Sequence, residues 1–260
     1  MRRILVAGLV GLAFGAVVAL APPARAAGET YTQIGLSGGG TESALWRDPG
    51  QAKAAIILLP GGDGIVHIAP DGSLHNGNFL VRSRRHWAGH GIATLLLDTP
   101  NGDSLFGNRS TADYADAVGR AVAFVRAHTT VPIWLVGTSQ GTIAAANAAA
   151  RLPAGQIAGV VLTSSVTRMG KSGETVFSTD LGTIAQPVLV VSNAADRCAV
   201  SPPGGDEILA ALKRSPRKAF IMLHGGTGGG DQCEAMAGHG FIGIEPLAIS
   251  TIADWMAAGK

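Results

Sequence analysis

Two serines sit inside Gly-x-Ser-x-Gly, in Gly35-Leu36-Ser37-Gly38-Gly39 and in Gly137-Thr138-Ser139-Gln140-Gly141. A serine hydroxyl is a poor nucleophile at neutral pH until a base takes its proton. The motif serves that chemistry when it forms a sharp turn between a strand and a helix, with small residues where backbones crowd. Context separates the two copies. Ser139 follows the apolar run Val131-Pro132-Ile133-Trp134-Leu135-Val136 and precedes Thr142-Ile143-Ala144-Ala145-Ala146. Ser37 runs into Gly38-Gly39-Gly40 with no helical pattern behind it. Ser139 is the candidate nucleophile, and Ser37 reads as part of a flexible turn.

A nucleophile on such an elbow needs a histidine base and an acid to orient it, in the chain order Ser, acid, His. Asp196 lies just beyond the apolar run Pro187 to Val191 and is the candidate acid; Asp206 and Glu207 lie farther on. Of seven His, only His224 and His239 follow Asp196. His224 ends a strand directly after Leu223, whereas His239 lies in a long loop, in Gly238-His239-Gly240-Phe241. A base that must reach over the elbow suits the loop, so His239 is the candidate base. His224 and Asp98, each at a strand end, are candidates for lining the pocket. The oxyanion needs two backbone N–H donors. Gln140 is the first candidate, and Gly62, followed by Asp63, is the second, in the loop Pro60-Gly61-Gly62-Asp63-Gly64.

The elements that must position these residues alternate along the chain. Tyr31 to Leu36 and Ser43 to Trp46 read as short opening strands. Ala54 to Leu59, Ile92 to Leu97, Val131 to Val136, Gln156 to Leu162, Pro187 to Val191 and Ala219 to Leu223 read as buried strands. Helical patterns cover Asn78 to Ala88, Ala112 to Ala127, Thr142 to Arg151 and Pro246 to Met256, with Ser110 or Thr111 placed to cap the second. Near-continuous apolar strands between helices predict an α/β fold, with a mostly parallel sheet covered on both faces. Such sheets bind ligands beyond the carboxyl ends of their strands, where the candidates fall.

The chain is 47% hydrophobic and 15% charged, which excludes a disordered polymer. It opens Met1-Arg2-Arg3, then runs apolar from Ile4 to Ala21 and reaches Ala24-Arg25-Ala26. A basic start, an apolar middle and an Ala-x-Ala site predict a signal peptide over residues 1–26, cut after Ala26, and an exported single domain over 27–260. An uncleaved anchor is the alternative. Removing Arg2, Arg3 and Arg25 leaves 17 bases against 18 acids, so no basic field remains for nucleic acid. The cluster Arg82-Ser83-Arg84-Arg85 reads as a solvated helix face. No other segment is apolar enough to span a bilayer.

Cys198 and Cys233 form an even pair in a chain predicted to be exported, which points to a disulfide between the Asp196 and His239 loops; a zinc site using both and a His is the poorer alternative. Gly170-Lys171-Ser172 is a partial phosphate-loop pattern, but Ser165 stands where its first Gly belongs. No nucleotide fingerprint opens a helix, and no cofactor is expected.

The order of oxyanion loop, elbow, acid and His resembles the α/β-hydrolase superfamily over essentially the whole chain after residue 26. Leu59 to Gly64, Asn78 to Arg84, Gly137 to Thr142 and His239-Gly240-Phe241 are together similar to a group of exported bacterial α/β-hydrolases, distantly like dienelactone hydrolases. The resemblance implies a Ser139, Asp196, His239 triad, supports the Cys pair, and implies a small-molecule acyl substrate. True dienelactone hydrolases carry Cys at the elbow where this chain has Ser139, which argues against dienelactone as substrate. The short segment between Leu162 and Pro187 implies at most a small lid. Ester hydrolysis is the leading expectation. Amide cleavage, acyl transfer and a non-catalytic binding protein on the same fold are the alternatives.

Overall fold

The computed structural model describes residues 28–259. The predicted signal peptide and its cleavage site lie outside the described residues. The strands are β1 (Thr30–Gly35), β2 (Thr41–Arg47), β3 (Ala54–Leu59), β4 (Ile92–Pro100), β5 (Ile133–Thr138), β6 (Gly159–Thr163), β7 (Val188–Asn193) and β8 (Lys218–Leu223). The α-helices are α1 (Phe79–Ser83), α2 (Ala112–His128), α3 (Gly141–Arg151), α4 (Asp206–Ala211) and α5 (Glu245–Ala257).

The strands make one sheet in the order β1-β2-β4-β3-β5-β6-β7-β8. β1 pairs antiparallel with β2, and β2 antiparallel with β4; every other pairing is parallel. Successive side chains of a strand point to opposite faces, and β3 shows the consequence. Ala55, Ile57 and Leu59 pack with α2 and α3 residues such as Val118 and Ala145. Ala54, Ile56 and Leu58 pack with α1 and α5 residues such as Leu80 and Ile252. Both faces are therefore dry, which is why β3, β5, β6 and β7 read as unbroken apolar runs.

Local chemistry sets the ends. Thr111 caps α2, its hydroxyl accepting from the Tyr114 N–H at 3.2 Å. The helix expected over Asn78 to Ala88 is two pieces: α1, then a 3₁₀ segment from His86 to His90. The break falls at Arg84, which caps α1: its backbone N–H and its Nη1 both donate to the Val81 carbonyl, the latter at 2.9 Å. α4 was not predicted; six residues give too short a run for periodicity to register. Between β6 and β7 the chain forms only two 3₁₀ turns, Val176–Ser178 and Leu181–Thr183, so this segment holds no cap domain. Gly170 to Gly173 is an ordinary turn there, and no α-helix follows it before β7.

Candidate active site

β5 runs one residue from Ser139, and α3 starts two residues after it. Ser139 itself has φ 53°, a left-handed conformation that costs a non-glycine residue on the order of 1–3 kcal/mol. Its surroundings enforce it. The Ser139 N–H donates to the Thr163 carbonyl at 2.9 Å, and its carbonyl accepts from the Thr142 N–H at 3.0 Å and the Thr142 hydroxyl at 2.6 Å. The motif glycines answer to steric need. A Cβ on Gly137 would lie 2.3 Å from the Gly141 carbonyl oxygen, and one on Gly141 would lie 2.0 Å from that of Leu59.

The loop after β3 folds over this turn. Gly61 comes so close that a Cβ there would meet the Ser139 Cβ at 2.8 Å. Gly62 takes φ 63°, open to glycine without strain. Among the described residues, the N–H groups of Gly62, Asp63 and Gln140 donate to no protein acceptor. They are thus free for a ligand oxygen.

His239 lies on a 3₁₀ turn, Gly238–Gly240. Its Nδ1 is 2.9 Å from Asp196 Oδ2, and both side chains are buried. Asp196 Oδ1 accepts from the Cys198 N–H at 2.8 Å, which fixes the carboxylate plane. His239 Nε2 is buried without a protein partner among the described residues. Ser139 and His239 line one cavity of about 560 Å³ with Gly62, Asp63, Glu234 and Met236. The flanking glycines again permit close approach: a Cβ on Gly238 would sit 2.4 Å from the Ala195 carbonyl oxygen. Ser164 Oγ bonds the His239 carbonyl at 2.8 Å, and Asn193 Nδ2 bonds that of Gly238 at 3.0 Å.

Cys198 and Cys233 are joined in a disulfide, and Cys233 lines the cavity. The bridge links the Asp196 turn to the loop that leads into His239. No zinc site forms: among the described residues, no group of three or more His, Cys, Asp and Glu could hold a metal ion.

Other expectations are corrected. His224, the first residue after β8, is exposed to solvent and does not line the Ser139 cavity. Asp98 is buried and also lies outside that cavity; its carboxylate accepts from the N–H groups of Val66, Ile68 and Thr99. Ser37 bonds Asp116 and Arg120 on the surface, as a turn residue would. Arg82 belongs to no solvated face. It reaches the carbonyls of Gly77 at 2.8 Å and Ala235 at 3.1 Å, bonds that of Gly240, and pairs with Glu245. It thereby straps the His239 loop to α1. Arg84 and Arg85 both pair with Glu29, whose carboxyl they hold below its usual range against the opposing effect of burial.

Sequence reasoning passed over two further residues. Ser201 is buried, with its Oγ 2.9 Å from His239 Nδ1, on the Asp196 side of the ring. His75 comes too early in the chain to be the base but lines the same cavity.

No family model matches the chain, and no curated protein matches it. Solved structures do match. A Pyrococcus furiosus esterase, Pf2001, aligns with TM-score 0.64 at 13% identity over 94% of this chain and 97% of that one. A cold-adapted esterase from an Arctic intertidal metagenomic library aligns with TM-score 0.59 at 16% identity, over 88% and 94%. A Xanthomonas campestris protein, described as an α/β serine hydrolase without a lid, aligns with TM-score 0.57 at 16% identity, over 86% and 94%. At these identities the likeness establishes the fold, and that fold is the α/β-hydrolase fold.

Proposed function

We propose that this protein is an exported serine hydrolase acting on carboxylic esters of small molecules. The observation that carries the reading is one cavity lined by a serine on a strained elbow and by a histidine whose far nitrogen is held by a buried carboxylate. In this reading His239 Nε2 takes the Ser139 proton while Oγ bonds the acyl carbon. Asp196 keeps the other proton on Nδ1 and stabilises the imidazolium that forms. The N–H groups of Gly62 and Gln140 receive the oxyanion, with Asp63 the adjacent donor. His239 then protonates the leaving alcohol. Water, deprotonated by His239, releases the acid from Ser139.

Ser201 does not fit the nucleophile role. It touches the ring nitrogen that faces Asp196, and it does not line the cavity. Ester rather than amide chemistry is supported by two structural neighbours that are named esterases. Export is supported by the Ala24-Arg25-Ala26 pattern and by the disulfide, a bond that persists in oxidising compartments. Hydrolysis of p-nitrophenyl acetate and butyrate by the purified protein, absent in Ser139→Ala and His239→Ala, is the expected result. Hydrolysis unchanged in Ser139→Ala would refute the assignment.

A further inference from the structure

Arg109 bonds neither Ser139 nor His239, yet its side chain is fully buried. Taking a charge out of water is costly even after relaxation, so a buried guanidinium calls for a compensating function or partner. Its side-chain hydrogen bond to protein is a long one, Nη2 to the Pro60 carbonyl at 3.4 Å; Nε and Nη1 have no protein partner among the described residues. The same Nη2 lies 3.0 Å from where a Cβ on Gly64 would be. The guanidinium therefore abuts both ends of the loop Pro60 to Gly64. The charges of Glu174 and of the loop's own Asp63 act on it.

The backbone of Arg109 is clamped to other parts of the site. Its N–H donates to Glu174 Oε2 at 3.2 Å, and Glu174 Oε1 accepts from the Ser110 N–H and hydroxyl at 2.8 and 2.6 Å. Asn147 Nδ2, from the helix that begins at the elbow, bonds the carbonyls of Arg109 at 2.9 Å and Thr111 at 2.6 Å. One residue thus couples the loop after β3 to the helix after Ser139.

We propose that Arg109 is a positioning residue that fixes the Pro60–Gly64 loop against α3, so that the loop N–H and the Gln140 N–H converge on one oxyanion. Preorganised donors stabilise a transition state because they need no rearrangement as charge develops. A loop free to shift would still admit the ester but would hold its oxyanion poorly. The inference rests on the serine-hydrolase reading above.

The test compares wild type with Arg109→Lys and Arg109→Met in ester turnover. It adds inhibition by an aryl trifluoromethyl ketone, whose adduct with Ser139 carries an oxyanion, and by the matching methyl ketone. The expected result is kcat lowered about tenfold to a hundredfold with KM within about threefold, the loss of one such donor costing on the order of a hundredfold to a thousandfold. Affinity for the trifluoromethyl ketone should fall by the same factor as kcat/KM, while the methyl ketone binds as before. Arg109→Lys keeps the charge and serves if Arg109→Met does not fold. Folded Arg109→Lys with wild-type kcat, or equal losses for both ketones, would overturn the inference. Wild type inert toward every ester would instead overturn the hydrolase reading beneath it.

Discussion

Ser139 and Ser201 both lie near the His239 ring, one sharing its cavity and one against Nδ1. If Ser201 only accepts a share of the Nδ1 proton, Ser201→Ala removes one hydrogen bond of about 0.5–1.5 kcal/mol and lowers kcat no more than roughly tenfold. Steady-state kinetics check this, and complete loss of turnover would refute it. The elbow was legible because its signals are local: a strand, a five-residue motif and a helix. His239 was reached by chain order after Asp196 and by its place in a loop. Ser201, Arg82 and Arg109 were not legible, because what defines them is a partner far along the chain. Arg82 meets Ala235 and Gly240 across 153 and 158 residues. A run of arginines in one dimension reads as solvated until the carbonyls it caps are brought to it.

Strands and helices were legible wherever one face or both are apolar over five residues or more. β3, β5, β6 and β7 met that condition; α4 and the broken helix after Asn78 did not. The join between β5 and α3 yields a sharper prediction. Gly141→Ala forces a Cβ against the Leu59 backbone oxygen, and backbone cannot swing aside as a side chain can. We expect destabilisation of about 3 kcal/mol, from overpacking of a tight contact. Gly89→Ala, where a Cβ meets open space and φ is not left-handed, should shift stability by less than about 1 kcal/mol. Urea denaturation of the pair provides the check.

At the scale of the whole molecule, two features outside the elbow bear on stability. Glu42 is buried without a hydrogen-bond partner among the described residues, and burial, aided by the nearby Asp98 charge, pushes its carboxyl up to about 8. In the unfolded chain a Glu ionises near 4.3. Between those values the unfolded state releases a proton that the folded state keeps, so stability falls as pH rises through this window and levels off above it. Glu42→Gln removes that slope. Its stability relative to wild type should therefore improve steadily from pH 5 to pH 8 in denaturant titrations. The second feature is the bridge between Cys198 and Cys233, 35 residues apart. Replacing both by Ser should cost about 2–4 kcal/mol, chiefly by freeing the unfolded chain. It should also lower activity, because the bridge ties the Asp196 turn to the loop leading into His239. Thermal melts with parallel esterase assays would register both effects.

If His239 activates Ser139 as a nucleophile, a fluorophosphonate probe incubated with the protein should mark that serine, as mapping of the labelled peptide would reveal. We expect a single adduct on Ser139, lost in Ser139→Ala and His239→Ala and retained in Ser201→Ala. Labelling of Ser201, or no labelling of a protein shown to be folded, would refute the assignment.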